Sequence, residues 1–252
     1  MSHQGRRLLI RTVTYNIHRA IGVDRRFRPD RVVKILRHHD PDVVLLQEVD
    51  EGVPRSRELD MTRELAWELG YRHFAIGHNV SLRKGRYGNA TLSRFPILRE
   101  RNIDLSVAGS WIRRGCQHTS IAAVPGRPAL EVFNLHLGLS ARERARQVEA
   151  LARSSELATL DAAAPCLIAG DFNDWRSLLR PLMTNGMGFR CATDSRLGMA
   201  RPLLTYPSFS PQGGLDRIYY RGSLRLLSVR RCRLQVSRLA SDHLPVIAEF
   251  QL

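Results

Sequence analysis

The spacing of apolar side chains changes along the chain, and the changes predict strands alternating with helices. Residues 8–17 alternate and are rich in β-branched side chains, which predicts a strand. Residues 29–39 carry apolar side chains at helical spacing, so we expect a helix with a proline in its first turn. The apolar run in residues 40–50 predicts a buried strand that ends at Gln47 and Glu48.

The second half of the chain repeats this alternation. Residues 129–137 predict a strand, and residues 140–160 predict a long amphipathic helix capped by Ser140. Residues 165–173 predict a short buried strand that ends in Gly-Asp-Phe-Asn. The remaining predicted elements are a helix over 62–70, strands of an antiparallel layer at 88–97 and 118–126, and strands at 215–222, 225–236 and 242–252.

Two of these units have the same order of residue types. An aromatic residue, an Asn, an apolar residue and a His occur in both TVTYNIH and EVFNLHL. A helix follows each time, and then a strand that ends in a carboxylate: Glu48 comes 32 residues after Asn16, and Asp171 comes 37 residues after Asn134. We therefore expect two pseudo-equivalent halves whose strand ends face one cleft, with chance similarity of two βαβ units as the alternative.

Composition limits the class of protein. The 252 residues are 43% hydrophobic, and no apolar run approaches the ~20 residues of a membrane span. The N-terminus lacks the apolar segment of a signal peptide, and the four cysteines form no C-x-x-C pair. We expect a cytoplasmic protein with no disulfide framework or zinc site. No low-complexity linker divides the chain, so we expect one domain over 8–252. A short flexible tail over 1–7 and a monomeric state are further expectations.

The charge balance points to an anionic partner. Lys and Arg number 39 against 24 Asp and Glu, which gives a formal net charge of +15. Such an excess favours nucleic acid, anionic lipid or phosphorylated small molecules. Only Lys34 and Lys84 are lysines, and codon bias can explain arginine over lysine but not the net excess.

Polar side chains recur where the predicted strands end. In an extended chain Asp171 and Asn173 point the same way while Phe172 points into the core, although Asn173 or Asp174 could instead cap a helix. Each such residue has an ordinary explanation as a turn residue, a surface charge, a cap or a core histidine. Their repeated position favours a shared site instead. The set comprises Asn16, Glu48, His136, Asp171, Asn173, Asp216, Asp242 and His243.

Seven short motifs extend this pattern: YNIH, LLQE, GNATLSR, NLHLG, GDFN, GGLDRI and SDHLP. Their order resembles that of the endonuclease/exonuclease/phosphatase superfamily, which includes pancreatic DNase, abasic-site endonucleases, sphingomyelinases and inositol polyphosphate 5-phosphatases. The resemblance covers residues 8–252. It implies a four-layer α/β/β/α sandwich, with two mixed β-sheets packed face to face and helices outside, and hydrolysis of phosphate esters with Mg²⁺ or Mn²⁺.

The resemblance also implies a metal site. A hard divalent cation prefers oxygen ligands and neutralises charge that develops on phosphate oxygens. Glu48 is the expected ligand, Asn16 would orient Glu48 or complete the shell, and Asp242 is a further ligand, direct or through water. Whether one or two ions bind stays open, because Asp171, Asn173 and His243 could form a second site.

The catalytic roles follow from the same resemblance. Asp171 would accept a proton from the attacking water or orient it, and Asn173 would fix that water or the phosphate. His243 would donate to a phosphate oxygen or the leaving group, with Asp216 holding its imidazole in the required tautomer. His136 would donate to the other non-bridging oxygen.

Substrate contacts are expected from Asn89, Arg144, Thr205 and Tyr206, for each of which a structural role is an equal alternative. Abasic-site endonucleases generally lack the histidine that His136 supplies, so the chain looks more like the DNase, sphingomyelinase and 5-phosphatase branches, and most like bacterial members with GDFNDW and LDRI.

These observations predict a metal-dependent hydrolase that cleaves phosphodiester bonds, with nucleic acid as the preferred substrate. A phospholipid headgroup or a small phosphorylated metabolite is the alternative substrate. A polyanion-binding protein without activity is the alternative from another class, and the intact set of motif residues argues against it.

Overall fold

A computed structural model describes residues 8–110, 112–194 and 202–252. The tail expected over residues 1–7 lies outside the described residues. The helices are α1 (Pro29–His39), α2 (Met61–Leu69), α3 (Ala141–Arg153), α4 (Ser155–Ala158) and α5 (Ser237–Ala240). The strands are β1 (Leu9–Asn16), β2 (Val43–Glu51), β3 (His73–Ser81), β4 (Arg86–Ser93), β5 (Ile97–Asp104), β6 (Gly115–Ile121), β7 (Leu130–His136), β8 (Cys166–Asp171), β9 (Arg190–Cys191), β10 (Asp216–Arg221), β11 (Arg225–Arg231) and β12 (Val246–Gln251).

The strands form two six-stranded mixed sheets of matching topology. The first has the order β11-β12-β1-β2-β4-β3, and the second has the order β5-β6-β7-β8-β10-β9. In both sheets the only parallel pair of described strands is the central one, β1 with β2 and β7 with β8, and its neighbours are antiparallel. Each parallel pair is connected through a helical segment. The two halves expected from the repeated residue order are confirmed at the level of topology.

Apolar side chains alternate between layers because successive residues of a strand face opposite sides of a sheet. In β2, Val44 belongs to the core beneath α1 and α2, whereas Leu45 belongs to the core between the two sheets. A third core lies on the other side of the second sheet and includes Phe133 of β7 and Val148 of α3. The order of layers is helix, sheet, sheet, helix, which confirms the four-layer sandwich.

Several predicted elements differ in detail. β2 continues past Glu48 to Glu51, because a register shift between Leu46 and Val49 absorbs Glu48 as a bulge. The helix expected over 140–160 is broken at Ser154, whose backbone is extended, and Ser140 makes no side-chain capping bond. The strands expected in one antiparallel layer at 88–97 and 118–126 lie in different sheets.

A polar layer joins the sheets near the middle of the sandwich. Asn134 donates to the carbonyls of Leu46 and Ala90 at 3.0 Å each, and it accepts from Gln47 Nε2 at 2.8 Å. Asn134 thus differs from Asn16, because Asn16 ends β1, whereas Asn134 sits two residues before the end of β7 and its amide is used between the sheets. No helix in the described part of the chain has the length and apolar character needed to cross a membrane.

Candidate active site

The end of β8 is held against β7 by a glycine. Gly170 has φ 143°, and a Cβ atom there would come within 1.9 Å of the Leu135 carbonyl oxygen. Only glycine allows the two parallel strands to approach so closely at this point. The register then places Asp171 opposite His136, the last residue of β7.

One oxygen of Asp171 is the centre of the site. Its Oδ2 accepts a hydrogen bond from Asn16 Nδ2 at 3.1 Å, and it lies 3.5 Å from His136 Nε2 and 3.6 Å from His243 Nε2. Its Oδ1 accepts from the backbone N–H of Asn173 at 2.9 Å. Residues from both sheets therefore meet at a single buried carboxylate.

His243 is held by a second buried carboxylate. Its Nδ1 lies 2.9 Å from Asp216 Oδ2, which also accepts from the Thr205 hydroxyl. Burial alone would lower the pKa of His243, but the carboxylates of Asp216 and Asp171 outweigh it and raise that pKa to about 10. The imidazole is therefore protonated on both nitrogens and positively charged at neutral pH, and its Nε2 is directed toward Asp171.

The pKa of His136 is shifted in the opposite direction to that of His243. Burial, together with the positive charge of Arg114, lowers the pKa of His136 to about 3 despite the neighbouring Asp171. The site thus combines a charged imidazole and a neutral imidazole on either side of one carboxylate oxygen. Both can donate through an N–H, but only His243 does so as a cation.

Asn173 lies just beyond Asp171 in a left-handed conformation, with φ 50°. Its Nδ2 donates to the Leu137 carbonyl at 2.9 Å, so its Oδ1 is the atom that remains to accept from a bound water. The next residue, Asp174, accepts from the backbone N–H groups of Leu178 and Leu179. These bonds close a turn, and no helix of the described residues begins near Trp175, so the helix-cap alternative is wrong for both residues. A role of Asn173 in the site stays a prediction.

Glu48 comes from the first sheet. The bulge in β2 gives it φ 57°, and its Oε1 accepts from Asn16 Nδ2 at 3.4 Å. Asn16 thus bonds to the carboxylates of both halves, while its Oδ1 accepts from the His18 backbone N–H at 3.0 Å. Asn16 thus orients Glu48 through Nδ2, while the second lone pair of its Oδ1 is still available, so completion of the metal shell by Asn16 stays a prediction. Glu48 and Asp171 lie at the same end of the sandwich, where Asn16 bonds to both, but Glu48 lies in a bulge within β2 and only Asp171 ends its strand.

Asp242 lies beside His243 and adds to the negative field that stabilises its proton. The Ser241 hydroxyl donates to the Asn16 carbonyl at 2.7 Å, and its oxygen lies 3.3 Å from Asp242 Oδ1. Ser241 therefore ties the loop of Asp242 to the end of β1. Ser241 is the first residue of the SDHLP motif, but the sequence alone does not predict this role.

The donor set suits a hard divalent cation. Glu48, Asp171 and Asp242 offer carboxylate oxygens, and Asp216 Oδ1 is buried with no hydrogen-bond partner among the described residues. One oxygen or nitrogen from each of Asp171, Asp216 and His243 lies within 4.8 Å of the others. His243 is a poor ligand while Asp216 keeps it protonated, so the fit is better on the Glu48 side.

The predicted substrate-binding residues have partners within the protein. Asn89 donates to the carbonyls of Gly115 and Asn134 and joins the two sheets. Arg144 is buried, donates to the Leu139 carbonyl at 2.6 Å and lies 3.7 Å from Asp174. Substrate contact by either residue stays a prediction.

The other two candidates lie beside His243. The Thr205 hydroxyl donates to Asp216, and the Tyr206 ring packs on the His243 ring at a centroid distance of 4.9 Å. Trp175, which was not predicted, meets Tyr206 edge-on at 5.6 Å and lies over Gly213, where a Cβ would come within 2.7 Å of the indole. Its position directly after GDFND is the feature of the sequence that could have placed Trp175 near the site.

Arg19 is a second residue that the sequence did not identify. Its Nε lies 3.2 Å from Glu48 Oε2. It sits in a tight turn in which His18, Arg19 and Ala20 have φ values of 46°, 61° and 57°. Each left-handed non-glycine residue costs of order 1–3 kcal/mol, and the turn contains no glycine or asparagine that would signal it.

Comparison with known proteins agrees with this geometry. The model of the Endonuclease/Exonuclease/phosphatase family matches residues 13–243. Uncharacterized protein YbhP of Escherichia coli strain K12 is 31% identical over 264 residues, with all of both chains covered. An endonuclease/exonuclease/phosphatase from Beutenbergia cavernae superposes with a TM-score of 0.77 at 22% identity, over 98% of this chain and 72% of that one. The 2',3'-cyclic phosphatase ANGEL2, in complex with adenosine-2',3'-vanadate, superposes with a TM-score of 0.73 at 19% identity, over 98% and 96%. The chain belongs to the Endonuclease/Exonuclease/phosphatase family and is a phosphoesterase of that superfamily.

Proposed function

We propose that the protein is a divalent-metal-dependent phosphodiesterase that cleaves nucleic acid. The observation that carries this proposal is the environment of Asp171 Oδ2, which has Asn16 at 3.1 Å and the Nε2 atoms of His136 and His243 at 3.5 and 3.6 Å. A carboxylate between two imidazole donors can hold a water and present it to a phosphate whose oxygens the imidazoles contact.

Each residue has a distinct task in the proposed reaction. Asp171 orients the attacking water and accepts its proton, and Asn173 Oδ1 fixes the same water. His243 donates a proton from Nε2 to the leaving oxygen, and Asp216 holds the imidazolium in place. His136, which is neutral, donates a hydrogen bond to a non-bridging oxygen.

Glu48, oriented by Asn16, and Asp242 would hold the divalent cation. When bound, Mg²⁺ or Mn²⁺ supplies the positive charge that neutralises a phosphate oxygen. The oxygen-only donors on this side of the site are the ligands that these ions prefer.

The net charge of +15 supports nucleic acid as the substrate, because a polyanion is attracted by the whole protein and not only by the site. Binding through several phosphate contacts should weaken steeply with salt, whereas a substrate with one phosphate should respond little. The monomeric state and the cytoplasmic location stay predictions.

Exposed apolar side chains on the loops near the site favour a second candidate. Leu139 is 74% exposed and comes three residues after the end of β7, and Phe209 is 64% exposed and comes three residues after Tyr206. Such side chains would suit a substrate with an apolar portion, such as a phospholipid whose headgroup phosphodiester enters the site.

A turnover screen tests these proposals. Single-stranded and double-stranded nucleic acids, phospholipids and sugar phosphates would be offered with Mg²⁺ or Mn²⁺, at 50 and 200 mM salt. We expect nucleic acid to be cleaved, with kcat/KM falling by at least about tenfold at the higher salt. Hydrolysis of phospholipid but not of nucleic acid would support the second candidate. An Asp171→Asn variant is the control for contaminating activity.

A further inference from the structure

Arg19 and Glu48 form an ion pair at the position where the proposed function places the metal. Arg19 Nε lies 3.2 Å from Glu48 Oε2, and the two side chains are 27% and 19% exposed. The Arg19 Nε is buried and has no hydrogen-bond partner within the described part of the chain. Among the described residues, Glu48 is the carboxylate with which Arg19 forms an ion pair.

The turn that carries Arg19 is fixed on both sides. The His18 backbone N–H donates to Asn16 Oδ1 at 3.0 Å, the His18 ring Nδ1 lies 2.9 Å from the Ile21 carbonyl, and the Arg28 N–H donates to the Ala20 carbonyl at 2.8 Å. The backbone is thus held in its left-handed conformation by contacts that do not involve the Arg19 side chain. The guanidinium can leave Glu48 without any rearrangement of the turn.

We propose that Arg19 is an exchangeable counter-ion of Glu48: it neutralises the carboxylate while no metal is bound, and it gives up this place when a divalent cation binds. The inference rests on the proposed function, because it assigns Glu48 to the metal. It goes beyond that function by making metal binding an exchange of one cation for another.

The charges around Glu48 explain why the exchange is needed. Asn16 holds Glu48 near the buried carboxylate of Asp171, so an uncompensated Glu48 would add a second negative charge to a partly buried site. A guanidinium relieves this repulsion. Arg19 contacts Oε2 of Glu48 and Asn16 donates to Oε1, so a divalent cation that coordinates Glu48 competes with the guanidinium for the same carboxylate, and the two cations repel each other.

A permanent structural ion pair is the alternative. In that case Arg19 would keep its contact with Glu48 after metal binding, and its removal would destabilise the protein equally with and without metal. The exchange predicts instead that the destabilisation appears only without metal. The affinity of the Arg19 variant for the metal must then rise by the factor that corresponds to its loss of stability without metal, because unfolding and metal binding form one thermodynamic cycle.

The experiment is titration calorimetry with MnCl₂ and thermal unfolding, in EDTA and in saturating Mn²⁺, of the wild type, Arg19→Gln and Arg26→Gln. Arg26 is exposed on the same segment, so its variant removes the same charge without touching Glu48. We expect Arg19→Gln to bind Mn²⁺ about 5- to 20-fold more tightly than the wild type does. Its Tm should be lower than that of the wild type in EDTA and equal to it in saturating Mn²⁺. Arg26→Gln should match the wild type in all three measurements.

An Mn²⁺ affinity of Arg19→Gln equal to that of the wild type, or a loss of stability that persists in Mn²⁺, would overturn the exchange while leaving the metal site itself in place. If neither the wild type nor Arg19→Gln binds Mn²⁺, both the exchange and the proposed metal site are refuted. Circular dichroism of each variant confirms that it is folded.

Discussion

His243 and Asp216 act on each other at a distance of 2.9 Å, and this contact determines how the histidine can work. The nearby carboxylates keep the imidazole charged against the effect of burial. Its Nδ1 is engaged by Asp216, so Nε2 is the atom that can serve the substrate. The two residues should therefore behave as one unit.

The prediction for this unit is non-additivity. We expect His243→Ala to lower turnover by at least ~10², because a positioned proton donor is lost, and Asp216→Asn to lower it less, because the histidine remains. The double variant should lose little more than His243→Ala alone. The measurement is kcat of the four proteins on one substrate. Losses that multiply would mean that the two residues act independently.

Sequence reasoning located single residues well where a polar side chain interrupts an apolar strand. Glu48 and Asp171 could be predicted because each comes directly after an apolar run, within β2 and at the end of β8 respectively. The different use of Asn134 could not be predicted, because its motif matches that of Asn16 while its position in β7 directs its amide to the other sheet. Arg19 could not be found, because its contact with Glu48 depends on a left-handed turn that its residue types do not signal.

At the scale of elements, the close approach of β7 and β8 depends on Gly170. We expect Gly170→Ala to destabilise the protein by about 2–4 kcal/mol, since the new Cβ would meet the Leu135 carbonyl at 1.9 Å and the strands would have to separate. Gly126→Ala is the matched control: Gly126 also has a positive φ, but a Cβ there meets nothing within 4 Å, so only about 1 kcal/mol should be lost. Urea unfolding would measure both, and equal losses would contradict the steric explanation.

The C-terminal end of α1 should make stability depend on pH. Burial, aided by the positive charges of His38, Arg230 and Arg11, lowers the pKa of His39 to about 4. The unfolded chain, with a pKa near ~6.5, therefore binds more protons than the folded protein between these values, and stability falls as the pH is lowered through this range.

The test is the free energy of unfolding in urea at pH 7 and pH 5. The loss on acidification should be smaller in His39→Gln than in the wild type, whereas His38→Gln, which changes an exposed neighbour, should keep nearly the full loss. An identical loss in His39→Gln would show that His39 does not contribute.

The helices also show where local patterns are insufficient. The start of α1 at Pro29 and the end of α2 before Gly70, which has φ 74°, follow from residues whose backbone preferences are strong. The division between α3 and α4 at Ser154 could not be predicted, because the apolar pattern continues through it.

For the whole molecule, the repeated order of strand, helix and strand has a functional consequence. Each half contributes one carboxylate, Glu48 from the first sheet and Asp171 from the second, and Asn16 bonds to both. The site therefore exists only when the two sheets are packed together. The general architecture could be predicted from the sequence because seven motifs follow the family order, whereas the identity of the substrate depends on loops that the motifs do not describe.

The central claim is that Glu48 serves a metal-dependent site completed by Asp171. The most direct measurement is hydrolysis of single-stranded nucleic acid with Mn²⁺, with and without excess EDTA, by the wild type, Glu48→Gln and Glu51→Gln. Glu51 lies on the same strand and pairs with Arg86, so its variant is the control. We predict that EDTA abolishes activity, that Glu48→Gln lowers it by at least ~10², and that Glu51→Gln retains it. Full wild-type activity in excess EDTA, or an equal loss in both variants, would contradict the account.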